Sequence, residues 1–167
     1  LTSRDQSFGS GDTHVIHNFL SKDESDTSFE KLSNGDIEYQ QWYHMPGKKN
    51  ELLPLSRLKI AMGHTDADGW TPHYRFPVNS QDHHGVHEFT PTVKKIMDAV
   101  IEHTKIPFNH AVVLLYRDGN DCIGFHKDKT LDLSPSDPIA SISLGQERSY
   151  MLRNSIHNPT ISQEVKL

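Results

Sequence analysis

Residues 109–153 constrain the fold of this chain more than any other stretch of its sequence. An apolar run, Ala111 to Leu115, has the composition of a strand and ends at a polar turn signature in residues 116–120. A second short hydrophobic segment, Cys122 to Phe125, then leads into the sequence His-Lys-Asp at 126–128. The pattern predicts two strands joined by a turn, the second of which ends in an imidazole and a carboxylate.

His126 and Asp128 are separated by one residue, and on an extended backbone such residues point to the same side of a sheet. Two histidines and one carboxylate on one face leave positions open for oxygen and a co-substrate, the arrangement of non-haem Fe(II) oxygenases. The sequence therefore predicts that His126 and Asp128 are catalytic metal ligands. The spacing alone is weak evidence, because His64 and Asp66 share it within a Gly- and Asp-rich turn that indicates a solvated pair.

The motifs around this pair resemble those of the AlkB family of Fe(II)- and 2-oxoglutarate-dependent dioxygenases. The matching segments are residues 116–119, 123–128 and 139–153, in the family's order and spacing, and they cover roughly the last third of the chain. Weaker similarity reaches back to Leu53, through residues 69–77. The resemblance implies removal of alkyl groups from nucleic-acid bases or, as in some members, action on a protein.

The fold and the cofactors follow partly from the pattern and partly from the resemblance. Several strands with few helices predict an all-β or α+β fold, and the resemblance implies an α+β, mostly β, double-stranded β-helix (jelly-roll) with flanking helices. It also implies Fe(II) and 2-oxoglutarate as cofactors, with Tyr116 donating a hydrogen bond to an oxoglutarate carboxylate. The alternative for Tyr116 is an ordinary tyrosine at a strand end. Arg148 and Arg153 flank a predicted strand, and either could face the site or solvent.

The chain departs from the family pattern after Asp128. The family has a second histidine several tens of residues later and, near the C-terminus, an arginine for the distal oxoglutarate carboxylate. His157 is the only histidine after Asp128 in this sequence, and it is the candidate third metal ligand although it comes early. Leu114 stands where family members usually have an asparagine that helps bind oxoglutarate, and Phe125 replaces the commoner tryptophan. One explanation is a cut chain that lacks C-terminal strands.

Residues 63–88 form a long, polar stretch in which aromatic residues recur. Loops of this length inside a compact domain are usually functional or disordered, and the resemblance implies a substrate-recognition lid. Trp70, Tyr74, Arg75 and Phe76 are the predicted substrate-binding residues, because aromatic faces suit a flipped base. The alternative is that Trp70 and Tyr74 only anchor the loop to the core.

Helix and strand signals complete the domain. Ser21 begins a capping-box pattern that predicts a helix to about Leu32. Thr90 followed by Pro91 begins a second helix, with one apolar stripe consisting of Val93, Ile96, Met97, Val100 and Ile101. Alternating residues predict further strands at 37–42 and 58–62. Residues 1–13 are predicted to be a mobile tail, and 14–167 a single oxygenase-like domain.

The composition excludes some classes of protein but does not identify the function. The chain has 167 residues, which fits one domain, and no apolar run approaches the roughly 20 residues of a membrane span. The single cysteine, Cys122, fits a reducing compartment and predicts an intracellular, nuclear or cytoplasmic location; we expect it to be a small core residue. The chain has 17 basic and 22 acidic residues. It therefore lacks the overall excess of basic residues that nucleic-acid-binding proteins usually show.

Three functions remain compatible with the sequence. The first is oxidative demethylation of alkylated DNA or RNA by a monomer with no membrane partner. The second is a non-catalytic relative that binds nucleic acid or protein. The third is a family oxygenase that acts on a protein or another small substrate. The His126 and Asp128 motif together with Tyr116 favours an oxygenase, while the sequence does not distinguish DNA from RNA or identify the base.

Overall fold

A computed structural model of the chain describes residues 6–8, 12–44, 51–74, 85–128, 133–134, 136–154 and 161–167. In chain order its elements are β1 (Gln6–Phe8), β2 (Thr13–Val15), α1 (Lys22–Ser33), β3 (Gln40–His44), β4 (Leu53–Gly63), α2 (Pro91–Thr104), β5 (His110–Leu115), β6 (Ser149–Asn154) and β7 (Ile161–Lys166). These strands pair antiparallel in three sheets, ordered β1-β2, β3-β4-β5 and β6-β7. The mixture of helices with antiparallel sheets agrees with the predicted α+β class, while the jelly-roll topology stays a prediction.

The chain divides into two compact units, one formed by Leu1–Lys31 with Ser141–Leu167 and the other by Leu32–Ala140. In the first unit, the predicted capping box is confirmed at the start of α1. The backbone N–H of Glu24 donates to Ser21 Oγ at 3.3 Å, and the backbone N–H of Ser21 donates to Glu24 Oε2 at 3.3 Å. These reciprocal bonds satisfy amide groups that the first turn of a helix leaves without partners, so the helix begins at the residue after Ser21.

Residues 6–8, within the predicted mobile tail, form the short strand β1. Gln6 to Phe8 pairs with β2 in the register Gln6↔Val15 and Phe8↔Thr13, and the Phe8 side chain is buried. Burial of a phenylalanine contributes roughly 1.5–3 kcal/mol, which opposes the entropy of a free tail. The predicted mobile tail and the predicted single-domain boundaries both stay predictions.

Gly145 occupies a backbone conformation that only glycine adopts easily. Its φ is +88°, and a Cβ built on it would lie 2.5 Å from Cε2 of the Phe29 ring. We expect Gly145→Ala to lower the free energy of unfolding by about 1–2 kcal/mol, because a left-handed residue gains a side chain there. Urea unfolding measures this. Gly119→Ala is the control, since Gly119 has open space around its Cβ position, and an equal loss in both variants would contradict the explanation.

In the second unit, β4 is the central strand. It pairs with β3 on one side and with β5 on the other, in the register Leu58↔Leu115 to Gly63↔His110. Two predicted strand boundaries are wrong: β4 begins at Leu53, earlier than expected, and β3 begins at Gln40, later than Ile37. Ile37 is nevertheless buried, so the alternation around it reflects side-chain packing rather than strand pairing.

The second helix agrees with its sequence signals. Thr90 Oγ1 accepts the Val93 N–H at 3.2 Å, Pro91 is the first helical residue, and Lys105 ends the helix with a left-handed φ of 61°. Val93, Met97 and Val100 of the predicted stripe are buried. Along β4, Ile60 and Met62 point to one face of the sheet, while Arg57, Lys59 and Ala61 point to the other. All five are buried, including the two cations.

Tyr39, immediately before β3, offers a test of this packing. Burial raises the pKa of its phenol from 10.0 to about 12. The unfolded chain ionises at the ordinary pKa, so stability from the buried neutral phenol is complete below pH 10 and is lost as the pH rises toward 12. Titration of phenolate absorbance is expected to show a high-pH phase whose amplitude falls by one phenol in Tyr39→Phe, while the contribution of other buried phenols stays. An unchanged amplitude of that phase in the variant would contradict the assignment.

Candidate metal centre

A tight turn connects the end of β5 to the predicted metal ligands. Asp118 Oδ1 accepts the backbone N–H of Asn120 at 2.8 Å and that of Asp121 at 3.2 Å. These backbone hydrogen bonds stabilise the charged carboxylate and hold the pKa of Asp118 below its ordinary value. The turn signature at 116–120 therefore forms the turn that the sequence predicts, through an Asx-type arrangement.

The segment after the turn differs from prediction. Residues 122–128 lie outside every strand of the described structure and bend at Phe125, so the expected second strand is wrong here. Cys122, expected in the core, is exposed, as are Ile123 and Phe125. The physical reason is that the backbone of Cys122 bonds to the Ser56 side chain of β4, and Asp121 is the buried residue of this turn instead.

The structure nevertheless brings the two predicted ligands together. His126 Nε2 lies 3.5 Å from Asp128 Oδ1, and both side chains are about half exposed. His126 Nδ1 lies 2.9 Å from the carbonyl oxygen of Gly124. Because a carbonyl oxygen can only accept, Nδ1 carries the proton, and Nε2 of the neutral ring keeps a lone pair for a metal. The backbone of Gly124 thus fixes the tautomer that metal binding needs.

The geometry of this pair fits a divalent metal. With metal–ligand bonds of about 2.0–2.2 Å, adjacent ligand atoms of an octahedral site lie about 3 Å apart. The observed 3.5 Å needs a small approach of the two side chains, and one nitrogen with one oxygen suits Fe(II). Within the described ranges, no group of three or more His, Cys, Asp or Glu side chains could hold a metal. His157 lies outside the described residues, so its role stays a prediction.

Tyr116, the predicted oxoglutarate contact, is half-buried at the end of β5. Continuing the register beyond Leu58↔Leu115 places Tyr116 opposite Arg57 on β4. Leu114 pairs with Lys59 on the same face. Tyr116 therefore neighbours a strand face that carries two buried cations, a position compatible with a dicarboxylate ligand. Its contact to oxoglutarate stays a prediction.

Tyr74 belongs to an aromatic cluster that surrounds the Lys59 ammonium. Its ring stacks on His110 with centroids 5.3 Å apart and meets Trp42 edge-on at 5.9 Å. Lys59 Nζ lies 4.1 Å from the Trp42 centroid and donates to Tyr74 Oη at 3.3 Å. Burial raises the pKa of Tyr74, the charge of Arg57 lowers it, and the charge of Asp128 raises it. The Tyr74 phenol is thus within electrostatic reach of the Asp128 carboxylate.

The other predicted lid residues are placed differently. Trp70 is 53% exposed, and its backbone N–H donates to Asp66 Oδ1 at 2.9 Å. His64 faces Glu88 at 3.7 Å while Asp66 holds its own turn, in agreement with the predicted solvated pair. The positions of Arg75 and Phe76 lie outside the described residues.

Sequence reasoning missed the side chains that hold the turn. Arg117 and Asp121 form an ion pair with a 2.8 Å contact between Nε and Oδ2, and Lys59 is 2% exposed. Arg117 and Asp121 are four residues apart, which predicts an ion pair only when both residues lie on a helix. Because this segment is a turn, the pair could not be predicted without the fold. Burial of Lys59 follows from aromatic residues distant in the sequence. None of the helices in the described part of the chain is both long and apolar enough to cross a membrane.

Comparison with known proteins identifies the superfamily of this chain. The profile of the 2OG-Fe(II) oxygenase superfamily matches residues 12–167. The DNA oxidative demethylase ALKBH2 of Mus musculus is 39% identical over 66 residues, which are 40% of this chain and 28% of that protein. The human protein of the same name is 39% identical over 64 residues, or 38% of this chain and 24% of that protein.

A viral protein gives a third match. The uncharacterized protein R406 of Acanthamoeba polyphaga mimivirus is 33% identical over 70 residues, 42% of this chain and 36% of that protein. The matched segments thus span well under two thirds of each relative, whereas the superfamily profile covers nearly the whole of this sequence. Because this profile covers nearly the whole sequence, the chain belongs to the 2OG-Fe(II) oxygenase superfamily.

Proposed function

We propose that this chain carries the metal-binding part of a dioxygenase that removes alkyl groups from nucleic-acid bases. The observation that supports this most directly is the convergence of His126 Nε2 and Asp128 Oδ1 at 3.5 Å, with the imidazole tautomer fixed by Gly124. A nitrogen and an oxygen donor on one side of an exposed segment leave room for further ligands and for a co-substrate. That arrangement is the one oxygen-activating iron sites use.

The proposed cofactors are Fe(II) and 2-oxoglutarate. His126 and Asp128 would hold the metal, with His157 as candidate third ligand, and Tyr116 would donate to an oxoglutarate carboxylate. When bound, this pair of cofactors supplies the oxidising chemistry, with O₂ as oxidant and oxoglutarate decarboxylated to succinate. The protein's part is to present a neutral imidazole and an ionised carboxylate, since metal binding requires both.

The proposed substrate is a methylated base, bound in a flipped conformation. Two of the relatives are named DNA oxidative demethylase, and the charge of Asp128 raises the pKa of the Tyr74 phenol. An aromatic wall beside a metal site suits a base removed from its stack, because every base has a face that stacks on an aromatic ring. Trp70, Arg75 and Phe76 are the further proposed substrate residues. DNA is favoured over RNA by the relatives' names only.

Release of formaldehyde tests the proposal. The chain is incubated with Fe(II), 2-oxoglutarate and a single-stranded oligonucleotide that carries an N-methylated base, and formaldehyde and succinate are measured. We expect equal amounts of both, and neither product from Asp128→Ala. Succinate without formaldehyde would indicate an oxygenase whose substrate is not this base. Binding of the oligonucleotide with no succinate would indicate a non-catalytic relative.

A further inference from the structure

The turn between Tyr116 and His126 is stabilised by a buried carboxylate, that of Asp121. Asp121 is 4% exposed and receives three hydrogen bonds from one residue. Arg117 donates Nε to Oδ2 at 2.8 Å, Nη2 to Oδ1 at 2.9 Å, and its backbone N–H to Oδ2 at 2.8 Å. A two-pronged guanidinium–carboxylate contact is stronger and more directional than a single charged hydrogen bond, so this ion pair fixes the shape of the turn.

The same turn is also hydrogen-bonded to two consecutive residues of β4. Ser56 Oγ donates to the carbonyl oxygen of Cys122 at 2.7 Å and accepts the Cys122 N–H at 3.1 Å. Arg57 Nη1 donates to the same carbonyl at 3.2 Å, and Arg117 Nη2 donates to the Ser56 carbonyl at 2.8 Å. Side chains here replace the hydrogen bonds that a strand partner would give. We call Ser56, Arg57, Arg117, Asp121 and Cys122 the turn clamp.

The position of the turn clamp in the chain gives it a functional consequence. Arg117 directly follows Tyr116, the proposed oxoglutarate contact, and Cys122 lies two residues before Gly124, whose carbonyl orients His126. The segment 122–128 has no strand pairing of its own in the described structure. The turn clamp therefore connects the residue that follows Tyr116 with the segment that carries His126.

We propose that Asp121 and Ser56 are positioning residues of the metal centre, which act through the turn clamp on His126 and Tyr116 without touching the metal. The proposal rests on the proposed metal site. Groups that orient a metal ligand usually change metal affinity about 10–100-fold when they are removed. The clamp is one shell further from the metal, so its loss is expected to change metal affinity by the lower end of that range and to alter the geometry of the ligands in the protein that still folds.

Cobalt binding tests this without any turnover. Co(II) accepts the same nitrogen and oxygen donors as Fe(II), and its visible absorption reports ligand geometry. Wild type, Asp121→Asn and Ser56→Ala are titrated at a temperature at which circular dichroism shows each to be folded. Asp98→Asn is the matched control, because Asp98 pairs with Lys94 at the same four-residue spacing but on the exposed surface of α2.

We expect Asp121→Asn to bind Co(II) up to about 10-fold more weakly, with an altered visible spectrum. Ser56→Ala should show a smaller change of the same kind, and Asp98→Asn should match wild type. A purely structural role would lower thermal stability and leave the spectrum of the folded protein unchanged. If Asp121→Asn does not fold, Ser56→Ala decides the question alone.

Two results overturn the proposal, and they are distinguishable. Wild-type affinity and spectrum in every folded clamp variant would remove the positioning role and leave the metal site intact. Failure of the folded wild-type chain to bind Co(II) would contradict the proposed metal site itself. The turn clamp would then have no metal ligand to position.

Discussion

Replacing Trp42 by alanine is expected to lower the free energy of unfolding by about 3–5 kcal/mol, the usual range for deleting a buried large aromatic side chain. Trp42 is 3% exposed and lies edge-on to Tyr74. It also offers its ring face to the buried Lys59 ammonium at 4.1 Å, and a desolvated cation–π contact contributes up to about 2 kcal/mol. The substitution therefore leaves a cavity and removes one aromatic face from a cation that cannot reach water.

Urea unfolding followed by circular dichroism measures this loss. Trp70→Ala is the control, because the Trp70 side chain is exposed and its replacement is expected to change stability by less than about 0.5 kcal/mol. The two variants lose the same number of atoms from the same residue type. Equal effects of the two substitutions would contradict the packing of Trp42 and the burial of Lys59.

Replacing His126 by alanine is expected to weaken divalent-metal binding by more than about 100-fold, beyond the roughly 10–100-fold typical of groups that only orient a ligand. The reason is that Nε2 is the nitrogen donor of the proposed site, and its tautomer is already set by the Gly124 carbonyl. Folding should hardly change, because the His126 side chain is about half exposed.

Calorimetric titration with Mn(II) or Co(II) measures the affinity. His64→Ala is the matched control, since His64 has the same spacing to Asp66 that His126 has to Asp128. We expect the control to bind metal as wild type does, because Asp66 holds its own turn and His64 faces Glu88. A control that lost as much affinity as His126→Ala would place the metal elsewhere.

Elements governed by local rules could be predicted from the sequence. The capping box at Ser21, the cap at Thr90 and the stripe of α2 need only a few neighbouring residues, and each is confirmed. The apolar run of β5 is also confirmed as a strand from His110 to Leu115. In each case the residues that form the hydrogen bonds or the apolar pattern lie within one or two helical turns or within one strand, so a short stretch of sequence contains all of them.

Elements that depend on distant partners could not be predicted in the same way. The start of β3 at Gln40 is set by its register with β4, and the burial of Lys59 is set by Trp42 and Tyr74. Cys122 looked like a core residue because it is small and apolar, yet its backbone bonds to Ser56 and leaves the side chain exposed. Only the fold brings these groups together.

The candidate site has features set by neighbouring residues and features set by residues distant in the sequence. The spacing of His126 and Asp128 indicated a shared face, and the structure brings their side chains within 3.5 Å, although the backbone there is not a strand. The turn clamp could not be predicted, because a Ser-Arg pair on β4 has no visible relation to a turn more than sixty residues later. The third ligand and the substrate residues Arg75 and Phe76 stay predictions.

A metal centre on His126 and Asp128 is tested by an anaerobic absorption spectrum of the chain with Fe(II), with and without 2-oxoglutarate, compared with His126→Ala. We expect a visible charge-transfer band in wild type only when Fe(II) and 2-oxoglutarate are both present, and we expect His126→Ala to lack this band while remaining folded. A band of equal intensity in His126→Ala, or no band in folded wild type, would contradict a metal centre built on His126 and Asp128.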